Sequence, residues 1–152
     1  MRLQTLLQPS LIKLSVTETK RTAAIREVAE LLRADKRIKD FEKFYQDLLT
    51  RERIETTCLG ADTALPHART DHVSDMVLAV GRSREGVLFE NSNQTVRLIF
   101  LVGTPKRMAT DYLRLVGTIA RLLKQETIRQ ALLMAPDEQA FIEVLAQAEL
   151  KL

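Results

Sequence analysis

Cysteine is nearly absent from this chain: Cys58 stands alone among 152 residues. One cysteine excludes an intramolecular disulfide framework and suits a reducing compartment. Tryptophan is missing altogether, so a core has to be assembled from leucine, isoleucine, valine and five phenylalanines. No apolar run approaches the ~18 residues that span a bilayer. The opening stretch, MRLQTLLQPS, is too short and too polar for a signal peptide. These absences point to the cytoplasm and to a chain not embedded in a membrane. Long runs of one charge sign are missing as well. The 23 Lys and Arg are interspersed with 20 Asp and Glu, for a net charge of +3 and a pI of about 9.2. That dispersion argues against a nucleic-acid partner and fits docking to an acidic protein. There is no internal repeat and no low-complexity segment.

What is present suits one globular domain over residues 1–152. Hydrophobic residues make up 45% of the chain and charged residues 28%, enough apolar surface for a core. A helical turn is predicted at Leu3–Leu7 and a first strand at Leu11–Val16. Thr17-Glu18-Thr19 offers an N-cap for a helix to about Ala34, with Ile25, Val28, Ala29 and Leu32 at helical spacing. Asp40 is placed to cap a second helix carrying the apolar stripe Phe41, Phe44, Tyr45, Leu48 and Leu49, ending near Arg51-Glu52-Arg53. A loop then runs over Ile54–Thr70, with at most a brief strand at Ala64-Leu65. Met76–Val80 reads as a strand buried on both faces. Val87–Phe89, a polar turn and Thr95–Val102 read as a hairpin, and VRLIFLV is the most apolar candidate for a central strand. After Gly103-Thr104-Pro105, helices are expected over Met108–Lys124 and Glu126–Met134. A last helix is expected to open at Pro136 and to bury Phe141, Val144, Leu145 and Ala148. A single mixed β-sheet covered by helices, an α/β (α+β) architecture, accommodates this order.

The segment TTCLGADTALPHART concentrates the chemistry-bearing residues. It holds His67, presented by the stiff Pro66. Imidazole titrates near neutrality, ligates metals and acts as a nucleophile. Arg51 and Arg53, at the end of the preceding helix, are able to fold back toward His67, and Arg69 falls beside it if the segment turns. Arginines around a histidine suit a phosphoryl group better than a metal cation, because guanidinium forks match phosphate oxygens. Backbone N–H groups over Gly60–Thr63 are further candidate anion donors. A role-free loop histidine accounts for the spacing equally well. A metal site from His67, Asp71, His72 and Asp75 matches no strong ligand spacing. A Cys58/His67 nucleophile pair lacks an orienting partner, and His72 reads as an exposed loop residue.

RERIETTCLGADTALPHAR resembles the active-site region of enzyme IIA domains of the fructose–mannitol class (type 2), components of the bacterial phosphoenolpyruvate-dependent sugar phosphotransferase system. The matching residues are Arg51-Glu52, Thr56-Thr57, Gly60 and Ala64-Leu65-Pro66-His67. The hairpin VLFENSNQTVRLIFLV and the helix YLRLVGTIARLL also have counterparts, and the likeness is greatest to free-standing nitrogen-regulatory enzyme IIA proteins.

The resemblance implies a mixed sheet with helices on both sides and a phosphoryl carrier. His67 accepts the group on Nε2 from HPr or its nitrogen-branch relative. It then passes the group to an enzyme IIB cysteine, or acts as a regulatory switch. Arg51 stabilises the phosphoryl group, Thr57, Gly60 and Arg69 support the site, and no cofactor or metal is required. Two positions depart from the family pattern. Cys58 stands at its first glycine and Tyr112 at its second histidine, which implies retuned transfer. The alternative is a non-catalytic regulatory binding module that keeps the fold without transfer.

Overall fold

The computed structural model describes residues 2–152. The described residues form six strands and six α-helices, with five of the strands in one run between α3 and α4. A short helix α1 (Leu3–Leu6) and a 3₁₀ turn (Pro9–Leu11) precede β1 (Ile12–Lys13). Next come α2 (Arg21–Ala29), α3 (Phe41–Ile54), β2 (Cys58–Gly60), β3 (Thr63–Ala64) and β4 (His67–Arg69). The two long strands β5 (Val77–Phe89) and β6 (Gln94–Thr104) lead into α4 (Ala109–Leu123), α5 (Glu126–Met134) and α6 (Glu138–Leu150).

All strands join one mixed sheet of order β1-β5-β6-β3-β2, with β4 also on β6. The apolar VRLIFLV run is indeed central: β6 pairs antiparallel with β5 and parallel with β3 and β4. β3 and β4 lie against β6 in one continuous register, Thr63 opposite Leu98 and His67 opposite Val102. Pro66 sits at the interruption because it has no N–H to give the ladder, although its carbonyl still accepts from Val102 N–H at 2.9 Å.

Side chains alternate across a strand, so the two faces can be assigned. On one face Val28 of α2 packs over Gly81, and Phe44 of α3 packs over Gly103. On the other, Phe100 meets Phe141 of α6, with ring centroids 6.4 Å apart. Val77–Val80 and Leu98–Val102 are almost fully buried, as strands covered on both faces must be.

Several local expectations give way to tertiary pairing. The first strand is only two residues long, and Thr17-Glu18-Thr19 caps nothing. Instead Thr17 and Glu18 N–H donate to the Glu27 carboxylate at 3.0 Å, and Thr19 O accepts from Leu88 N–H at the sheet edge. The helix therefore starts later, at Arg21. The strand expected at Met76–Val80 starts one residue later, at Val77, and is continuous with Val87–Phe89 in one long strand with an irregularity between Arg82 and Val87. Asp40 caps α3 as expected, accepting from Lys43 N–H at 3.1 Å. For α6 the cap is Asp137, which accepts from Ala140 N–H at 2.8 Å, so Pro136 lies outside the helix.

Candidate functional site

The segment expected to be a loop is strand over much of its length, and this decides where His67 points. β4 runs along β6, so His67 is carried on the sheet itself. The segment is extended rather than turned. Residues two apart in a strand share a face, so Arg69 lies on the same side as His67, and Ala68 is buried on the other.

His67 is half-buried. Its Nδ1 stands 2.7 Å from Leu65 O. A carbonyl oxygen only accepts, so Nδ1–H donates to it and Nε2 keeps the lone pair. Burial pushes the imidazole below its usual range, and the Arg51 charge adds to this; the Leu65 bond and the Glu52 charge oppose it. The net result is a neutral ring with a free Nε2 near neutral pH.

The cavity at His67 measures about 530 Å³ and opens between the end of α3, β4 and the start of α4. Arg51, Arg69 and Lys106 line it, outnumbering Asp47 and Asp71, with Ile54 and Tyr112 as apolar walls. Asp71 is engaged by the Lys106 backbone N–H at 3.1 Å. Tyr112 is buried, at 7% exposure, and its ring centroid lies 5.6 Å from that of His67. Burial raises its phenol above the usual range, while the Arg51 and Arg69 charges pull against that. Those charges place both guanidinium groups within electrostatic reach of the ring.

Not every expected residue enters this cavity. Thr57 is buried, and its hydroxyl donates to Glu52 at 2.5 Å. Gly60 opens the tight β2–β3 turn at φ +82°, followed by Ala61 and Asp62 at φ 50° and 68°. Two successive positive φ values are the mark of a type I′ hairpin. The Arg97–Asp62 ion pair at 2.5 Å pins this turn, and none of its residues lines the cavity. Cys58 has no positive φ and carries no backbone strain; the left-handed conformations fall on the next residues but one.

Conversely, His72 and Lys106 line the cavity although nothing in their spacing singled them out. His72 is half-buried rather than exposed, because its carbonyl accepts from Lys39 and Asp40 N–H. Among the described residues, no three His, Cys, Asp or Glu are grouped to hold a metal ion.

The fold and its cavity thus define a mixed α/β protein that presents His67 among cationic side chains. A sequence model of the family described as "Phosphoenolpyruvate-dependent sugar phosphotransferase system, EIIA 2" matches residues 5–148, and the chain belongs to that family. It is 32% identical over 138 residues to the fructose-specific EIIA component of Haloferax volcanii, covering 90% of each chain. It is 30% identical over 148 residues to the fructose-specific EIIABC component of Bacillus subtilis, covering 97% of this chain but only 23% of that protein.

Among solved structures it is similar to the nitrogen regulatory protein IIA-Ntr from Neisseria meningitidis. The TM-score there is 0.87 at 25% identity, over 94% of this chain and 98% of that one. The fold is shared with the mannitol enzyme IIA of Escherichia coli, seen in complex with phosphorylated enzyme IIB, at TM-score 0.80, 22% identity and 93% and 97% coverage. Among the described residues no helix is long and apolar enough to cross a membrane.

Proposed function

We propose that the chain is a phosphoryl carrier of the phosphotransferase system, with His67 as the acceptor. The observation that carries this is the Nδ1–Leu65 hydrogen bond at 2.7 Å, which leaves Nε2 as the free nucleophile of a neutral ring. The Nε2 lone pair attacks the phosphorus of a phosphohistidine on HPr or its nitrogen-branch relative. The new N–P bond forms as the donor's N–P bond breaks, and the Nδ1 proton stays on His67, shared with Leu65 O. Arg51 and Arg69 take up the charge on the transferring oxygens. Beyond the donor's phosphohistidine, the transfer as written draws only on this chain's own side chains and backbone.

The phosphoryl group then passes to an enzyme IIB cysteine or marks a regulatory docking surface. A dianion beside Arg51, Arg69 and Lys106 changes that surface in charge as well as shape. The nitrogen-regulatory likeness supports the regulatory branch and the fructose relatives support the transport branch. We take residues 1–152 as one domain working in the cytoplasm, where its phosphoryl donors are.

The test is incubation with phosphoenolpyruvate, enzyme I and HPr, followed by intact-mass measurement. One acid-labile phosphate is expected on the wild type and none on His67→Ala. An unmodified wild type, or equal labelling of the variant, refutes the carrier reading in favour of a binding module. Addition of enzyme IIB to the phosphorylated protein then separates transport from regulation.

A further inference from the structure

The last turn of α3 carries Arg51 to the His67 cavity, while the next residue turns inward. Glu52 is 1% exposed, the most buried charged side chain described. Thr57 donates to it twice, through Oγ1 at 2.5 Å and N–H at 3.3 Å. Asn91 Nδ2, in the turn between β5 and β6, donates to the Glu52 carboxylate at 3.3 Å and to its carbonyl at 3.2 Å. Arg21 Nη1, at the start of α2, lies 4.0 Å from the same carboxylate, and its Nη2 pairs with Glu90 at 3.0 Å. Arg21 Nε is buried with no hydrogen-bond partner among the described residues, so this cation is held in place by charge more than by a full set of bonds.

The consequence lies in what this anchor holds. The final carbonyls of a helix have no intrahelical partner, and helix ends fray. The bond closing α3, Glu55 N–H to Arg51 O, is long at 3.5 Å. Asn91 satisfies the Glu52 carbonyl, and Glu52 ties the turn to Thr57. From there the hydrogen bonds continue toward the histidine. Thr57 O accepts from Leu65 N–H at 2.9 Å, and Leu65 O accepts from His67 Nδ1–H at 2.7 Å. One carboxylate therefore connects the segment bearing Arg51 to the segment that orients His67.

We propose that Glu52 is a positioning residue for phosphoryl transfer: through Thr57 and Asn91 it sets Arg51 and the His67 ring in fixed relation. This rests on the carrier reading of His67. It carries a separate electrostatic signature, because the Glu52 charge favours the His67 imidazolium against burial and Arg51. Glu52→Gln keeps the shape and removes the charge. Thr57→Val keeps the charge and removes the hydroxyl donor, and Thr57→Ser retains it.

Glu52→Gln is expected to slow labelling of His67 by phospho-HPr about tenfold or more. It should also lower the His67 midpoint in an NMR titration of the unphosphorylated protein. Thr57→Val is expected to slow labelling without that midpoint shift, and Thr57→Ser to recover the rate. Wild-type rates in Glu52→Gln and Thr57→Val overturn the proposal. So does a slowed Glu52→Gln whose His67 midpoint stays in place, since that is the result of destabilisation alone. Should Glu52→Gln fail to fold, the Val and Ser pair at Thr57 decides: equal rates overturn the proposal, and loss with recovery upholds it. If the wild type takes no phosphate, the carrier reading has failed, and the His67 midpoint in Glu52→Gln still tests whether Glu52 acts on the histidine.

Discussion

The Tyr112 ring lies 5.6 Å from the His67 imidazole, centroid to centroid, tilted by 47°. The phenol is therefore both a wall of the cavity and the end of the buried α4 stripe that continues through Leu115, Ile119 and Leu122. Its hydroxyl has no hydrogen-bond partner among the described residues, which leaves it free to donate one hydrogen bond to a group on His67. A phenol cannot supply positive charge at neutral pH. Tyr112→His is expected to speed phosphoryl transfer about tenfold, the scale of one charge-assisted hydrogen bond. Stopped-flow or quenched labelling with phospho-HPr checks this. An unchanged rate with a lowered thermal midpoint restricts Tyr112 to packing.

The depressed His67 basicity has a consequence for stability. Burial lowers the folded group from its reference of 6.5, so below that pH the unfolded chain takes up a proton that the folded chain resists. Stability attributable to His67 is complete above about 6.5 and declines as the pH falls through the folded value. Thermal unfolding from pH 7.5 down to 5 should show a falling midpoint. The fall should be shallower in His67→Gln, and parallel curves would rule out a buried neutral histidine.

Arg51→Lys keeps the charge and loses the planar fork. Guanidinium binds phosphate oxygens with two parallel N–H donors where ammonium acts as a point charge. The Arg51 Nη1 bond to Glu55 O at 2.9 Å also disappears. The labelling rate is expected to drop at least tenfold, with little change in thermal midpoint because Arg51 is partly exposed. A wild-type rate in Arg51→Lys would remove Arg51 from the transfer step.

Gly103 tests the packing that holds β4 in place. It pairs with Ala68 on one side and Val77 on the other. A Cβ there would meet Phe44 Cε1 at 2.6 Å and Cζ at 2.9 Å, and with Phe44 fully buried the ring and the helix that carries it have to shift. Gly103→Ala should cost about 1–3 kcal/mol by overpacking, measured by urea denaturation. Because α3 would be pushed outward, Arg51 should shift and labelling should slow. A neutral substitution would show that α3 moves freely against the sheet.

The sequence by itself determined the helices, the central strand and the immediate neighbours of His67 only where local pattern was strong. The stripes of α3 and α4, the Asp40 cap and the apolar VRLIFLV run each carry their own periodicity, which tertiary packing merely completes. His67 was legible from Pro66 and the motif around it.

Tertiary structure alone decided the rest, because it depends on pairing between distant segments. The extended form of Thr17–Lys20 comes from the β5 edge, and β4 exists because β6 offers it a parallel ladder. His72 and Lys106 enter the cavity through chain folding that no spacing encodes. Thr57, which the motif places with the site, is instead spent on Glu52. A carboxylate buried among Thr57, Asn91 and Arg21 is held by residues from separate parts of the chain, and only their convergence reveals it.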